Sequence, residues 1–183
     1  VKHRKSPHLA DHIIAWTSLP VGVVSLAERY GGRDVTSQIY GAMVTDVLGM
    51  IGKFAAREIL GVRAKGENFH LLGTSGTVTT LAGIHLGLAR YDRRQVDGLW
   101  MEESEVTAMT DRLLSWSFDE RVANACIGAE RADLVLGGCA ILDAIRRTWP
   151  SERLRVADRG LREGLLTEMM SSAGVWRRRF EGE

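Results

Sequence analysis

Cysteine is scarce in this chain, and so is an excess of charge of either sign. The 183 residues include two cysteines, Cys126 and Cys139, which lack the spacing of a metal site or a disulfide scaffold. Two buried thiols are the simpler expectation. Lysine and arginine number 24 against 23 acidic residues, a net charge of +1. This balance provides no basic field for a nucleic acid or a membrane surface.

Long apolar runs are missing as well. No stretch reaches the roughly 18 apolar residues that a membrane-spanning helix needs, and no apolar core of a signal peptide follows the charged residues 1–5. Three of the five histidines, His3, His8 and His12, lie near this start without a cysteine or carboxylate cluster. We therefore expect residues 1–11 to be a flexible segment without a metal site, and the protein to be cytoplasmic.

Apolar residues recur with two different periods along the rest of the chain, which predicts strands alternating with helices. The predicted strands are residues 13–19, 69–72 and 154–157, and the predicted helices are residues 36–60, 76–88, 102–115, 119–125, 131–149 and 161–171; residues 21–26 fit either an extended piece or the start of a helix. The pattern indicates an α/β fold with a helical insertion over about residues 100–150. We expect one domain over residues 12–171 and a basic tail over residues 172–183.

A glycine-containing turn between the second predicted strand and the next helix is the strongest candidate for a ligand site. It consists of Gly73, Thr74, Ser75, Gly76 and Thr77. Glycine lets the backbone approach a ligand closely, and the first amides of a helix have no internal partner and lie at the positive end of its dipole. We predict a phosphate-binding loop, with Thr77 as the hydroxyl best placed to face it. The simpler alternative is that Thr74 or Ser75 only caps the helix.

A second turn follows the third predicted strand and contains Asp158, Arg159 and Arg162. Ligands collect at the carboxyl ends of strands in open α/β sheets, so either arginine could bind phosphate and Asp158 could orient Arg159 or hold a metal-bound water. Helix capping with local ion pairs is the alternative, and the residues alone favour it. No nucleophile, base and acid stand in a recognisable catalytic order, so we predict no catalytic residue in this chain.

Four segments resemble, in order, the motifs of the Ppx/GppA family of exopolyphosphatases and guanosine pentaphosphate phosphatases. They are residues 18–24 (SLPVGVV), 70–82 (HLLGTSGTVTTLA), 131–142 (RADLVLGGCAIL) and 154–166 (LRVADRGLREGLL). One departure is Gly137, because the family usually has proline there. The four segments span most of the chain, and together they are far more specific than any one of them.

The resemblance implies a partial ribonuclease-H-like fold. The family belongs to the actin/Hsp70/sugar-kinase superfamily, in which two such domains enclose a phosphate cleft. Residues 73–77 would line this cleft from the second domain, with Asp158, Arg159 and Arg162 as possible further contacts. The family's catalytic glutamate, metal-binding acids and glycine-rich phosphate loops have no counterpart here. The chain therefore resembles the C-terminal half of such an enzyme. It contains an incomplete second domain, and the N-terminal half of the enzyme is missing.

The resemblance also implies an activity for the complete protein. We expect hydrolysis of a phosphoanhydride in inorganic polyphosphate or guanosine pentaphosphate, with Mg²⁺ ligands and the catalytic glutamate outside this chain, and a homodimeric assembly. This chain alone would bind phosphate without turnover. The alternative is a non-catalytic polyanion- or nucleotide-binding module. A sugar or acetate kinase of the same superfamily fits the four motifs less well.

The missing half has a consequence for stability. In the ribonuclease-H-like sheet, the first two strands lie between the third and the fourth. Without them, the strands predicted at residues 13–19 and 69–72 lose a neighbour each. Unpaired strand edges cost free energy and promote association. We therefore expect the isolated chain to be marginally stable, rearranged or oligomeric.

Overall fold

The computed structural model describes residues 13–66 and 69–174. In chain order, this part of the chain forms α1 (Val23–Tyr30), α2 (Ser37–Ile51), α3 (Arg57–Arg63), β1 (Leu71–Gly73), α4 (Gly76–His85), α5 (Arg93–Val96), β2 (Trp100–Glu102), α6 (Glu103–Ser115), α7 (Phe118–Ala123), α8 (Val135–Thr148), β3 (Arg153–Val156) and α9 (Leu161–Ser172). These elements fall into two compact units, one of residues 18–158 and one of residues 13–17 with 159–174. None of the described helices has the length and apolar character to span a bilayer.

The larger unit contains a three-stranded mixed sheet in the order β1-β3-β2. β1 runs parallel to β3, with Leu72 opposite Arg155, and β2 runs antiparallel to β3. Leu154 and Val156 are buried, whereas Arg153 and Arg155 are exposed, as the alternation of side chains along a strand requires. One face of the sheet thus lies on the core, where α4 and α6 contact β3.

The central helix of the larger unit is α8, which contacts α1, α2, α4 and α6. Its buried first half is rich in small residues, including Gly137 and Gly138. A Cβ on Gly137 would lie 3.4 Å from the Cβ of Leu26 in α1, and a Cβ on Gly138 would lie 2.0 Å from the hydroxyl oxygen of Thr77 in α4. The small residues therefore let α1 and α4 pack directly on the backbone of α8.

The strand predicted at residues 13–19 is absent, and that prediction is wrong for this structure. Ile13, Ile14 and Trp16 are 62%, 60% and 80% exposed. An apolar segment forms a strand only when a neighbour pairs with its N–H and C=O groups. The three described strands pair among themselves, so this segment has no ladder partner within the described residues.

Several helix boundaries also differ from the predictions. The helix predicted at residues 36–60 is divided into α2 and α3, because the chain turns after Ile51. The helix predicted at residues 131–149 begins at Val135, since the preceding residues form turns that start at Gly128, whose φ of 72° is left-handed. Of the two alternatives for residues 21–26, the helical one is confirmed by α1. Two short elements, α5 and β2, were not predicted at all.

The smaller unit contains α9. The backbone N–H of Gly160 donates to Glu163 Oε2 at 2.8 Å, which satisfies an amide just before the helix. The apolar side chains of α9 are 41–78% exposed; they are Leu161, Leu165, Leu166, Met169 and Met170. Their spacing places them along one half of the helix surface. These five side chains form an exposed apolar stripe on α9.

Candidate functional site

The turn between β1 and α4 combines a capped helix start with accessible backbone amides. Ser75 is the N-cap of α4, and its hydroxyl oxygen accepts a hydrogen bond from the Val78 N–H at 3.4 Å. The capping alternative is therefore confirmed for Ser75. The amides of Gly76 and Thr77 belong to the first turn, where the helix itself offers no acceptor. Capping and anion binding are compatible here, because the cap uses a later amide.

Close packing fixes the position of this turn. A Cβ on Gly73 would lie 2.6 Å from a methyl group of Val78, so the end of β1 packs tightly against α4. The Gly73 carbonyl oxygen accepts a hydrogen bond from the Ala157 N–H at 2.9 Å. This bond joins the loop to the residues after β3 and brings Asp158 beside it.

A cavity of about 330 Å³ lies over this turn. Four segments of the larger unit line it: the loop with the start of α4, the segment before α5, the turns before α8, and the residues after β3. Its lining residues are Thr74, Ser75, Gly76, Thr79, Tyr91, Ala125, Cys126, Ile127, Arg131 and Asp158. The structure therefore brings most of the predicted loop together with Asp158, as the sequence predicted.

The preference for Thr77 as the hydroxyl facing the loop was wrong. The Thr77 side chain packs against Gly138 of α8 instead, where a Cβ would lie 2.0 Å from its oxygen. Among the threonines of α4, Thr79 is the one that lines the cavity, and its hydroxyl donates to the Gly76 carbonyl at 3.1 Å. Helical geometry explains the difference, because successive side chains point about 100° apart around the axis. Phosphate binding by the backbone amide of Thr77 stays a prediction.

Arg131 also lines the cavity, and sequence reasoning did not name it as a site residue. It lies in the turn before α8, and its Nη1 atom would be 3.7 Å from a Cβ placed on Gly76. A guanidinium at this position adds its charge to the positive end of the α4 dipole. Its position in the RAD segment was visible in the sequence, but the pattern placed it inside a helix rather than beside the loop.

Asp158 is held by two neighbours at the edge of the cavity. Arg93 forms an ion pair with its carboxylate and also donates to its carbonyl oxygen at 3.0 Å. The Asp158 N–H donates to Asp97 Oδ1 at 2.9 Å. Because the carboxylate is paired with a cation, it repels an incoming anion less than a lone carboxylate would. Of the two predicted interpretations, the structure supports local ion pairing.

Tyr91 contributes a protonated hydroxyl to the same cavity. Its oxygen is buried and has no hydrogen bond of good geometry within the described residues. Burial raises the pKa of Tyr91, and the nearby Asp158 carboxylate adds to that rise, whereas Thr79 opposes it. The hydroxyl is therefore a proton donor available to an oxygen-rich ligand at neutral pH.

Other predicted residues belong to the smaller unit or lie outside the described residues. Arg159 and Arg162 belong to the smaller unit that contains α9, so their contact with the cleft remains a prediction. The histidines considered as metal ligands, His3, His8 and His12, lie outside the described residues. Within residues 13–66 and 69–174, no group of three histidine, cysteine or carboxylate side chains is placed to hold a metal ion.

Both cysteines are free and buried, which confirms their predicted burial. Cys126 lines the cavity, and burial raises the pKa of its thiol. Burial likewise raises the pKa of Cys139 to about 12. Since the thiolate is the reactive form, neither residue is a suitable nucleophile near neutral pH.

A larger groove of about 1240 Å³ lies between α3, α6 and α8. It contains none of the predicted site residues. Three of its charged side chains are engaged with each other: Arg146 pairs with Asp143 at 3.1 Å and with Glu103. We interpret this groove as a space between packed helices rather than an anion site, because its most buried cation, Arg146, is already paired with carboxylates.

The fold and the cavity define an α/β domain with a small cavity over the turn between a strand and a helix. A model of the Ppx/GppA phosphatase family matches residues 10–173, and the chain therefore belongs to this family. The predicted α/β fold class is confirmed, because the small mixed sheet and its many helices match solved structures of this family. A comparison with curated proteins finds no match.

Solved structures of the family share this fold. The Aquifex aeolicus member of the Ppx/GppA family is 24% identical, with a TM-score of 0.71 over 86% of this chain and 49% of its own. The type II variant of the Aquifex aeolicus phosphatase is 26% identical, with a TM-score of 0.68 over 84% and 49%. An exopolyphosphatase from Cytophaga hutchinsonii is 19% identical, with a TM-score of 0.73 over 88% and 51%. This chain thus spans about half the length of these proteins.

Proposed function

We propose that this chain is the second domain of a phosphoanhydride hydrolase, in which it binds phosphate groups of inorganic polyphosphate or guanosine pentaphosphate. The observation that carries the proposal is the convergence of Ser75, Gly76 and Arg131 around one small cavity at the start of α4. Family membership supports the reaction class, and the donors match the chemistry of a phosphate, which presents only acceptor oxygens at its surface.

The loop amides and the Arg131 guanidinium can stabilise the negative charge that moves during the reaction. Cleavage of a phosphoanhydride places negative charge on the oxygens of the transferred and departing groups. Amides fixed by the packing of Gly73 on Val78, and the guanidinium of Arg131, are already oriented when the substrate arrives. Such preorganised donors stabilise the transition state without a cost of reorientation. The Tyr91 hydroxyl provides one further donor at the cavity edge.

The remaining catalytic groups belong to the other half of the complete protein in this proposal. The donors in the cavity are amides, hydroxyls and a cation, and its carboxylate, Asp158, is paired with Arg93. This set does not fit Mg²⁺, which prefers oxygen ligands from carboxylates, so no step of the reaction is assigned to a metal here. We place the Mg²⁺ ligands and the glutamate that activates water in the N-terminal half.

A phosphate-release assay tests the proposal. The chain alone is incubated with polyphosphate or guanosine pentaphosphate, and then again after co-expression with the N-terminal half of a Ppx/GppA relative. We expect release only in the second case, and a loss of about tenfold or more for Arg131→Ala in the reconstituted protein, since a charge-assisted contact is removed. Arg63→Ala removes an exposed cation elsewhere and serves as the control.

A non-catalytic binding module is the second candidate function. It is favoured by the cavity itself, where the paired Asp158 leaves no free carboxylate to activate water among the lining residues. Binding of inorganic tripolyphosphate without release of phosphate in either assay would support this candidate. Full release by the reconstituted Arg131→Ala protein would contradict the assignment of the cavity.

A further inference from the structure

One arginine, Arg121, is buried but is not among the residues that line the cavity. Arg121, at the end of α7, is 2% exposed and is the largest fully buried side chain among the described residues. Burying a guanidinium is costly unless its N–H groups find acceptors. Burial indeed lowers the pKa of Arg121, against the opposing influence of Asp34 and Asp133. A residue held at this cost requires an explanation from its contacts.

The guanidinium of Arg121 binds backbone rather than a carboxylate. Its Nη1 donates to the Gly32 carbonyl at 3.4 Å and its Nη2 donates to the Arg33 carbonyl. The group also lies 5.8 Å from the centre of the Phe118 ring. No described carboxylate forms an ion pair with it. Arg121 therefore fixes the loop between α1 and α2 in place.

That loop in turn presses on the segment that contains Arg131. A Cβ on Gly32 would lie only 1.9 Å from the Asp133 carbonyl oxygen. The two backbones are thus in direct contact, and any shift of the loop is transmitted to Asp133.

The segment around Asp133 is too short and too well bonded to absorb such a shift. The Arg131 N–H donates to the Gly128 carbonyl at 3.2 Å, and the N–H groups of Leu134 and Val135 both donate to the Arg131 carbonyl at 3.0 Å. The backbone of Arg131 is therefore continuous with the start of α8. Its guanidinium reaches Gly76 from this fixed base.

We propose that Arg121 is a positioning residue for phosphate binding: by anchoring Gly32 and Arg33 it holds Arg131 over the first turn of α4. This inference rests on the proposed function, because it assigns a purpose to the position of Arg131. Arg121 itself does not touch the ligand. Its contribution is to keep the Arg131 guanidinium in one place before the phosphate arrives.

A double-mutant cycle with inorganic tripolyphosphate as the probe tests the inference. Calorimetric titrations compare the wild-type chain with Arg121→Met, Arg131→Ala and the double variant. We expect Arg131→Ala to weaken binding by about tenfold and Arg121→Met to weaken it by roughly threefold to tenfold. In the Arg131→Ala background, Arg121→Met should have no further effect, because its target is gone. A purely structural role would lower affinity equally in both backgrounds.

Two further variants keep the test decisive if Arg121→Met does not fold. Gly32→Ala places a methyl group against the Asp133 carbonyl and so disturbs the same contact between the loop and the Arg131 segment. It should weaken tripolyphosphate binding in the wild-type background and have no further effect in the Arg131→Ala background. Val106→Ala, in the buried core on α6, lowers stability without touching this chain of contacts and should leave affinity unchanged.

The outcomes separate the two proposals. Additive effects of Arg121 and Arg131, or an equal loss for Val106→Ala, would overturn the positioning role alone. Unchanged binding by Arg131→Ala would overturn the proposed phosphate site, and the positioning role with it.

Discussion

At the scale of single residues, Gly138 determines how closely α4 approaches α8. A side chain there would meet the Thr77 hydroxyl at 2.0 Å, a distance that no Cβ tolerates. Because Gly138 has no side chain, the first turn of α4 can lie directly against α8. The geometry of the proposed phosphate site therefore depends on this helix contact as well as on the loop itself.

Substitution of two helical glycines tests this dependence. Gly138→Ala should lower the free energy of unfolding by about 1–3 kcal/mol, because an added methyl group in a packed core forces the backbones apart. Gly41→Ala is the matched control, since this α2 glycine has nothing within 4 Å of a built Cβ. That change should raise stability by about 0.5–1 kcal/mol through helix propensity. Urea unfolding measures both, and equal effects would contradict the packing account.

The Tyr40 hydroxyl on α2 and the Cys139 thiol on α8 predict how stability depends on pH. The Tyr40 hydroxyl donates to Asp143 Oδ2 at 2.9 Å. Burial raises the pKa of Tyr40 well above its usual value, with Cys139 and Asp143 adding to the rise. Burial also raises the pKa of Cys139 to about 12. In both groups the folded state favours the protonated form.

The sign of the effect follows from linkage. Below about pH 8.5, both groups are protonated in the folded and the unfolded chain. Their full contribution to the free energy of unfolding is then present. As pH rises further, the unfolded chain loses these protons first, so the free energy of unfolding should fall. Tyr40→Phe should be about 1 kcal/mol less stable at pH 7, through the lost hydrogen bond, with a shallower alkaline decline. Unfolding curves between pH 7 and 11 measure this, and a wild-type profile that stays flat would refute it.

At the scale of elements, the start of α4 combines two functions that one substitution can separate. Ser75 caps the helix through the Val78 amide and also lines the cavity. Aspartate is an equally good N-cap, but its negative charge would repel phosphate.

Ser75→Asp should therefore keep the stability of the wild-type chain to within about 0.5 kcal/mol and weaken tripolyphosphate binding by about tenfold or more. Ser75→Ala is the converse control: it should lower stability by about 1 kcal/mol while weakening binding much less. Thermal melts and calorimetry measure the two quantities on the same samples. Unchanged tripolyphosphate affinity in Ser75→Asp would show that the cavity is not the anion site.

The elements also show which features can be predicted from sequence. The helices α6 and α9 were predicted nearly to their ends, because their apolar spacing is a local signal. The strand at residues 13–19 was predicted wrongly, since a strand depends on a partner that local periodicity does not report. β2 has only three residues, too few for any period to be visible. The loop was found from local chemistry, whereas Arg131 reaches it through tertiary packing that the sequence does not display.

At the scale of the whole molecule, the exposed apolar stripe on α9 has consequences for association. Leu165 and Met169 are 54% and 67% exposed within the described residues. Exposed apolar side chains that form a contiguous stripe favour contacts between molecules. The chain also spans about half the length of its solved relatives.

We predict that the isolated chain self-associates in a concentration-dependent manner. Replacing Leu165 and Met169 together with glutamine should shift the population towards monomer, because apolar area is removed from the contact. Ser171→Gln, at an exposed polar position of the same helix, is the control and should leave association unchanged. Sedimentation velocity at several concentrations measures this. A wild-type chain that stays monomeric throughout would contradict the prediction.

The central claim, that the first turn of α4 and Arg131 form a phosphate site, is tested most directly by amide chemical shifts in a titration with inorganic tripolyphosphate. The account predicts that the N–H signals of Gly76 and Thr77 shift most, and that Arg131→Ala abolishes these shifts. Signals around the larger groove, such as that of Arg147, should stay in place. Shifts concentrated in that groove, with Gly76 and Thr77 unmoved, would contradict the account.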